Sequence, residues 1–164
     1  MSLKNITQPI KIRKGLMNDL PHILALIKEL AEYEKAPNDV EVTVAQMEEW
    51  GFGSDKQFDF FVAEKDGKII GMALYYYKYS TWKGKCLFLE DIIVTESERQ
   101  HGYGKLLFNE VAKVAKEQKV KRMEWQVLEW NEPAIKFYKK YNSVFDGEWI
   151  NCKLTFDQLQ NFKY

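Results

Sequence analysis

The chain has 164 residues, of which 46% are hydrophobic, 15% are aromatic and 29% are charged. This length and composition predict a single globular domain over residues 1–164 and exclude an intrinsically disordered chain. The 24 basic residues are balanced by 24 acidic ones, so we expect no nucleic-acid partner and no attraction to anionic membranes. We expect residues 1–9 to be flexible or to have been added for expression.

The first half of the chain predicts a strand, two helices and a hairpin. In chain order these are a strand over residues 10–13, a helix that begins after Asn18-Asp19, a helix over residues 43–53 and strands over residues 58–65 and 68–79. The first helix has one apolar face, made of Leu20, Ile23, Leu24, Ile27 and Ala31. Thr43 and Gln46 form a capping-box pattern. Asp66-Gly67 supplies the positive φ angles of a tight hairpin.

The second half of the chain predicts three strands and two helices. The strands lie at residues 86–94, 122–128 and 149–155, and the helices follow Gly104 and cover residues 131–140. This order mixes hairpins with one strand-helix-strand crossover. It favours an α/β fold with a mixed sheet, antiparallel at first and parallel around the glycines.

Charge is unevenly spread along the chain. Residues 19–50 hold eight acidic and two basic residues, whereas residues 99–122 hold seven basic and two acidic ones. The first stretch suits a cationic ligand and the second an anionic one, although a solvated helix face explains such runs as well. Cys86 and Cys152 have neither disulfide nor metal spacing, and no apolar run reaches the ~20 residues of a membrane span. These observations favour a cytoplasmic protein that holds no metal and lies outside the membrane.

A glycine-bearing turn follows the strand at residues 86–94 and reads Arg99-Gln100-His101-Gly102-Tyr103-Gly104-Lys105. Glycines let successive backbone N–H groups converge, and a helix N-terminus adds partial positive charge, so the turn is a candidate pyrophosphate site. Arg99 is a candidate for a charge-assisted contact with the same ligand. The dinucleotide and nucleoside-triphosphate motifs both fail here, and a plain connection is the alternative.

Glu90 and Asp91 interrupt an otherwise apolar strand. Regular alternation places Asp91 on the face of Leu89 and Glu90 on the opposite face. Burial raises the pKa of a carboxylate, which makes it a better proton acceptor near neutral pH. We therefore predict a catalytic base here, with a structural salt bridge as the alternative.

Asn131 and Tyr138 lie two helical turns apart in the segment Trp130-Asn131-Glu132-Pro133-Ala134-Ile135-Lys136-Phe137-Tyr138, so both side chains can face one groove. A tyrosine holds its proton at neutral pH and can give it to a departing thiolate. The alternative is that Tyr138, which follows Phe137, belongs to the core.

In this order the three features resemble the GNAT superfamily of acetyl-CoA-dependent N-acetyltransferases, whose glycine turn Arg99, Gly102 and Gly104 match. Further matching segments are similar to the diamine (spermidine/spermine) and thialysine acetyltransferases: residues 26–34, 51–53, 79–85, 89–91 and 130–133. The resemblance implies a mixed, mostly antiparallel central sheet flanked by helices, with a splay between its two central parallel strands. It also implies a homodimer.

The same resemblance implies two sets of site residues. Those for the donor acetyl-CoA are Ile92, Ile93, Val94, Arg99, Gln100, His101, Gly102, Tyr103, Gly104, Lys105, Asn131, Glu132, Pro133, Ala134 and Tyr138. Those for the amine are Tyr33, Glu34, Trp82, Glu90, Asp91, Glu124, Trp125 and Gln126. By the same resemblance, polyamine-specific members have Asp at the position where this chain has Ser80. The change favours a short diamine or a lysine-like amino acid over a long polyamine.

The implied reaction is direct attack of a primary amine on the thioester in a ternary complex. An amine with a pKa near 10.4 is about 3.4 units from its neutral form at pH 7, a cost of roughly 4.6 kcal/mol that a positioned base reduces. We predict that Glu90 accepts the proton, directly or through a water, and that Tyr138 protonates the leaving sulfur. Two alternatives are a non-catalytic acyl-CoA or polyamine sensor and a peptide N-acetyltransferase.

Overall fold

The structure, a computed structural model, describes residues 9–163. The chain divides into two compact units, the first running to Gln126 and the second beginning at Val127. The expectation of a single domain over residues 1–164 stays a prediction, and the expectation for residues 1–9 lies outside the described residues apart from Pro9. Across residues 9–163, no helix combines the length and the apolar character that crossing a membrane requires.

The first unit is built on a five-stranded mixed sheet. Its strands, in order both across the sheet and along the chain, are β1 (Lys11–Lys14), β2 (Asp59–Lys65), β3 (Lys68–Ser80), β4 (Gly84–Val94) and β5 (Met123–Glu124). Strands β1 to β4 pair antiparallel, and β5 pairs parallel with β4. The mixed, mostly antiparallel sheet expected from the sequence is confirmed. Asp66 and Gly67 form the β2–β3 turn with φ angles of 49° and 76°, as predicted.

Three helices flank this sheet: α1 (Leu20–Tyr33), α2 (Val44–Phe52) and α3 (Tyr103–Glu117). The core that α1 and α2 share with the sheet contains Leu20, Ile23, Leu26, Met47, Phe60, Val62, Met72, Leu74 and Ile93. The predicted capping box is present at α2, because the Thr43 amide donates to Gln46 Oε1 at 3.0 Å and the Gln46 amide donates to Thr43 Oγ1 at 3.3 Å. Helix α3 buries Leu107, Phe108, Val111 and Ala115.

Arg13 anchors β1 to the start of α1. Its guanidinium donates to both carboxylate oxygens of Asp19, at 2.7 and 3.0 Å, and to Glu64 Oε2 at 2.7 Å. The Leu16 amide donates to Asp19 at 2.8 Å. The hydrogen bond from Arg13 is the main cause that holds the pKa of Asp19 below its ordinary value. The network fixes the N-terminal end of α1, the helix whose other end leads into Glu34.

Two sequence predictions about the later strands are wrong. The strand expected over residues 122–128 is only the two residues of β5, and the strand expected over residues 149–155 does not form in the described chain. A strand needs a hydrogen-bonded neighbour, and no strand within residues 9–163 pairs with this segment, where Trp149 and Ile150 are 74% and 88% exposed. The second unit contains α4 (Glu132–Lys139), as predicted, and α5 (Phe156–Gln160).

Candidate active site

Glu90 is the extra residue of a β-bulge in β4. Tyr75 of β3 pairs with Leu89 and the preceding Leu74 pairs with Asp91, so Glu90 has no partner in the β3 ladder. Because directly paired residues share a face of the sheet, Asp91 lies on the face of Leu74 and Leu89 lies on the opposite one. The expected regular alternation of Leu89 with Asp91 is therefore wrong, since the bulge inserts one residue at the carboxylate pair.

Three carboxylates meet on this part of the first unit. Burial, together with the nearby charges of Glu90 and Glu34, raises the pKa of Asp91 to about 6. Burial also raises the pKa of Glu34, which directly follows α1. Within residues 9–163, no group of three or more His, Cys, Asp or Glu side chains has the arrangement of a metal site. A concentration of negative charge of this kind suits an organic cation.

Tyr76 joins the carboxylate pair and was missed by the sequence reasoning. Burial, together with the charge of Glu90 and a side-chain hydrogen bond to it, raises the pKa of Tyr76 to about 12. The hydroxyl therefore keeps its proton at neutral pH and donates a hydrogen bond to Glu90. Its ring packs on Phe88 at 5.4 Å between centroids. Tyr76 lies in a run of aromatic strand residues, so no motif in the sequence distinguishes it.

The glycine turn leaves the N-terminus of α3 open. Gly102 occupies the N-cap position with a φ of 83°, a left-handed conformation that favours glycine, and provides no side-chain cap to the helix. A Cβ at Gly102 would meet no atom within 4 Å, and one at Gly104 would meet only Val94 Cγ2, at 4.0 Å. No side chain therefore stands at the Cβ positions of these two glycines, where the helix N-terminus carries partial positive charge.

The backbone edge of β4 is open between the bulge and the glycine turn. β5 pairs only with Leu87 and Phe88, and no other strand within residues 9–163 takes this edge of β4, so the two parallel strands separate beyond Phe88. The Val94 carbonyl points to this edge, where it accepts from Arg99 Nε at 3.0 Å. Successive peptide groups of a strand alternate in direction, so the peptide of Ile92 points to the same edge.

Arg99 is engaged with protein groups. Besides its bond to the Val94 carbonyl, its guanidinium lies 3.6 Å from Glu29 Oε1 and 5.0 Å from the ring centre of Tyr33. The structure thus brings Arg99, predicted for the donor, into contact with Tyr33, predicted for the amine. His101 Nδ1 lies 3.3 Å from the Glu98 carbonyl. The His101 and Tyr103 rings stack at 5.6 Å, and Gln100 and Lys105 are exposed.

The other four residues implied for the amine lie in the β3–β4 turn and in or just after β5. Trp82 is 79% exposed in the β3–β4 turn, and the eight residues from Gly84 to Asp91 span about 20 Å of strand. Glu124 is compensated by Lys78 and Arg122, at 2.9 and 3.1 Å. The Trp125 ring packs edge-on against Phe108 at 5.3 Å between centroids, and Gln126 is exposed.

The later residues implied for the donor belong to the second unit. Asn131 caps α4, because its side-chain oxygen accepts from the Ala134 amide at 3.3 Å. Glu132 and Pro133 form the first turn of α4. Tyr138 is only 5% exposed, and its carbonyl accepts from Ser143 Oγ at 2.9 Å. The predicted roles of these residues toward the donor stay predictions.

The family model described as acetyltransferase (GNAT) family matches residues 23–142, which is more than half of the chain. The chain therefore belongs to the acetyltransferase (GNAT) family. A solved aminoglycoside acetyltransferase, meta-AAC0020 from an uncultured soil metagenomic sample, superposes with a TM-score of 0.73 at 19% sequence identity. The match covers 89% of this chain and 95% of that one and shows that the fold is shared.

Three named relatives are similar in sequence. Thialysine N-epsilon-acetyltransferase of Bos taurus is 36% identical over 138 residues, which cover 79% of this chain and 81% of the relative. L-ornithine N5-acetyltransferase NATA1 of Arabidopsis thaliana is 38% identical over 109 residues, 65% of this chain and 48% of the relative. Spermidine/spermine N(1)-acetyltransferase-like protein 1 of Homo sapiens is 35% identical over 135 residues, 78% of this chain and 19% of the relative. The chain is an acetyltransferase that acts on an amine.

Proposed function

We propose that the protein transfers the acetyl group of acetyl-CoA to a primary amine of a small diamine or lysine-like amino acid. The observation that carries the proposal is the cluster of Glu34, Glu90 and Asp91 at the start of an open strand edge that ends at the glycine turn. The cluster attracts a cation, and the edge and turn accept a ligand with amide and phosphate groups.

The substrate class follows from charge and size. An alkylammonium group is compensated by the cluster, whose three carboxylates would otherwise repel one another. Two of the relatives are named for thialysine and ornithine, amino acids with a terminal amine. Ser80 supplies no second negative charge near the β3–β4 turn, which disfavours a long polyamine. We therefore propose short substrates with one reacting amine in preference to long polyamines.

The donor is proposed to lie along β4. Its amide-bearing arm would pair with the peptide groups around Ile92 and Val94, and its diphosphate would face the open amides at the start of α3. Residues 131–134 and Tyr138 are also proposed to contact the donor. When bound, acetyl-CoA supplies the thioester carbonyl that the amine attacks.

The bulge carboxylates are proposed to remove the proton from the ammonium group. Glu90 is the proposed acceptor, directly or through a water. Asp91 is the second candidate, because a pKa of about 6 matches a base that works near neutral pH. The neutral amine then forms the new C–N bond as the C–S bond breaks, and Tyr138 gives its proton to the leaving sulfur. The nitrogen loses its second proton as the amide forms, and this proton restores Tyr138, while the carboxylate releases the first proton to solvent.

A thiol-release screen tests this proposal. The protein is mixed with acetyl-CoA and, in turn, putrescine, spermidine, spermine, thialysine, lysine, ornithine and a lysine-containing peptide. We expect free CoA with a short diamine or a lysine-like amino acid. Double-reciprocal plots of the initial rate should give intersecting lines, as direct transfer in a ternary complex requires. Binding of acetyl-CoA without any thiol release would support the sensor. Thiol release with the peptide alone would support a peptide N-acetyltransferase.

A further inference from the structure

We propose that Arg99 is a positioning residue that ties the amine-side end of α1 to the donor-side edge of β4, and that it does not bind the phosphates of the donor. The inference rests on the proposed function for the identity of the two ligands. It departs from the expectation, based on the glycine-turn motif, that this arginine contacts the pyrophosphate.

Three contacts determine where the Arg99 guanidinium points. Nε donates to the Val94 carbonyl at 3.0 Å, at the end of β4. Nη2 lies 3.6 Å from Glu29 Oε1, and the guanidinium carbon lies 5.0 Å from the ring centre of Tyr33. Both Glu29 and Tyr33 belong to α1. The side chain therefore bridges the helix and the strand end, with a cation–π contact on one side.

Glu29 forms the other half of the same tie. Its Oε2 accepts from Thr95 Oγ1 at 2.8 Å, and its Oε1 accepts from the Glu96 amide at 2.8 Å. Thr95 and Glu96 directly follow β4. Helix α1 is thus attached to the segment after β4 through Glu29 and to the last residue of β4 through Arg99. This pair fixes where the end of α1, with Tyr33 and Glu34, lies relative to the open edge.

Arg99 also sets the length of that edge. Because its Nε occupies the Val94 carbonyl, a ligand arm paired with β4 can still accept from the Val94 N–H but finds its last free backbone acceptor at Ile92. Removal of the guanidinium frees the Val94 carbonyl and loosens the end of α1. We therefore expect this change both to misplace the thioester along β4 and to weaken binding of the amine.

The test compares two donors that share the thioester arm. Acetyl-CoA carries phosphates, and S-acetylpantetheine carries none. For Arg99→Met, the proposal predicts that kcat/KM falls by about tenfold with either donor, with an unchanged ratio between donors, and that the KM of the amine rises. A loss confined to acetyl-CoA, with an unchanged KM of the amine, would identify a phosphate ligand and overturn the proposal.

Glu29→Gln provides the matched variant, because Glu29 contacts Arg99 and is an unsuitable ligand for phosphate. We expect it to raise the KM of the amine as Arg99→Met does, and the double variant to lose less than the two single losses multiplied. Multiplicative losses would contradict the tie. If Arg99→Met does not fold, as judged by circular dichroism, Arg99→Lys and Glu29→Gln carry the same comparison. Thiol release by the unaltered protein with both donors is measured first, so failure of the proposed function is recognised separately.

Discussion

A buried carboxylate lowers the stability of the fold, and its raised pKa suits it to act as a base. Asp91 is such a carboxylate. Its mostly buried position and its neighbours Glu34 and Glu90 raise its pKa to about 6. The sequence identified the carboxylate pair because two acids interrupt an apolar strand. It did not reveal the bulge or Tyr76, since both depend on how β3 and β4 align.

The pH dependence of the rate distinguishes the two candidate bases. If Asp91 accepts the proton, kcat/KM falls tenfold per pH unit below about pH 6, because protonated Asp91 is not a base. In Asp91→Asn that limb should disappear and the rate at pH 8 should fall by about 10²-fold or more. Glu90→Gln is the companion variant. The variant that abolishes the acid limb identifies the acceptor, and an unchanged profile in both would exclude the pair.

Asp91→Asn should also stabilise the protein at neutral pH. The folded-state pKa is raised from an ordinary 3.8 to about 6, so ionisation opposes folding above pH 6 and has no effect below the unfolded value. The gain should reach up to about 3 kcal/mol at pH 8 and disappear below about pH 4. Urea unfolding at both pH values measures it. Equal stability of the two proteins at pH 8 would show that the carboxylate is hydrated.

Tyr138→Phe tests the proton donor. The change should lower kcat by roughly 10²-fold while leaving the affinity for acetyl-CoA, measured by calorimetry, nearly unchanged. Tyr141→Phe, in the turn that follows α4, is the control and should retain most of the activity. A normal kcat for Tyr138→Phe would remove the donor role and leave Tyr138 as a buried aromatic residue.

At the scale of elements, local signals were sufficient where a helix or turn closes on itself. The capping box at Thr43 and the Asp-Gly turn formed as predicted, because their hydrogen bonds and φ angles depend on neighbouring residues. The strands predicted over residues 122–128 and 149–155 depended on partners elsewhere in the chain. Their apolar composition specified the ability to pair but not the availability of a neighbour.

The Arg13–Asp19 pair should stabilise the join between β1 and α1. Asp19→Asn should lower the free energy of unfolding by about 2 kcal/mol at pH 7, because Arg13 then keeps only Glu64 as a charged partner. The folded-state pKa of Asp19 is lowered, so its contribution is present above the unfolded pKa near 4 and is lost as the pH falls through the folded value. The difference between variant and parent should therefore shrink as the pH falls below about 4 and vanish once Asp19 is protonated in the folded protein.

The exposed pair Lys56–Asp59 is the control for that measurement. It has the same 2.7 Å distance, but its side chains are 49% and 40% exposed. Asp59→Asn should change the free energy of unfolding by less than about 1 kcal/mol at pH 7. Similar losses for both variants would mean that burial does not strengthen the Arg13 network.

At the scale of the whole molecule, the second unit has an unusual surface. Val144, Trp149, Ile150 and Phe156 are each more than 70% exposed, and large exposed apolar patches mark association sites. The resemblance predicts a homodimer, and we expect one at micromolar concentration in sedimentation experiments. Trp149→Ser combined with Ile150→Ser should shift the protein toward the monomer, whereas Tyr79→Ser, which alters an exposed aromatic residue of the first unit, should not. A monomeric parent protein would contradict the prediction.

The cross-strand pairs on either side of the bulge are already in step. A chain lacking residue 90 would still align Tyr75 with Leu89 and Leu74 with Asp91, and the core below would be unaltered. The architecture therefore has no need of this one residue, which places a second acid beside Asp91. The paired carboxylates therefore arise from a single insertion in an otherwise regular ladder.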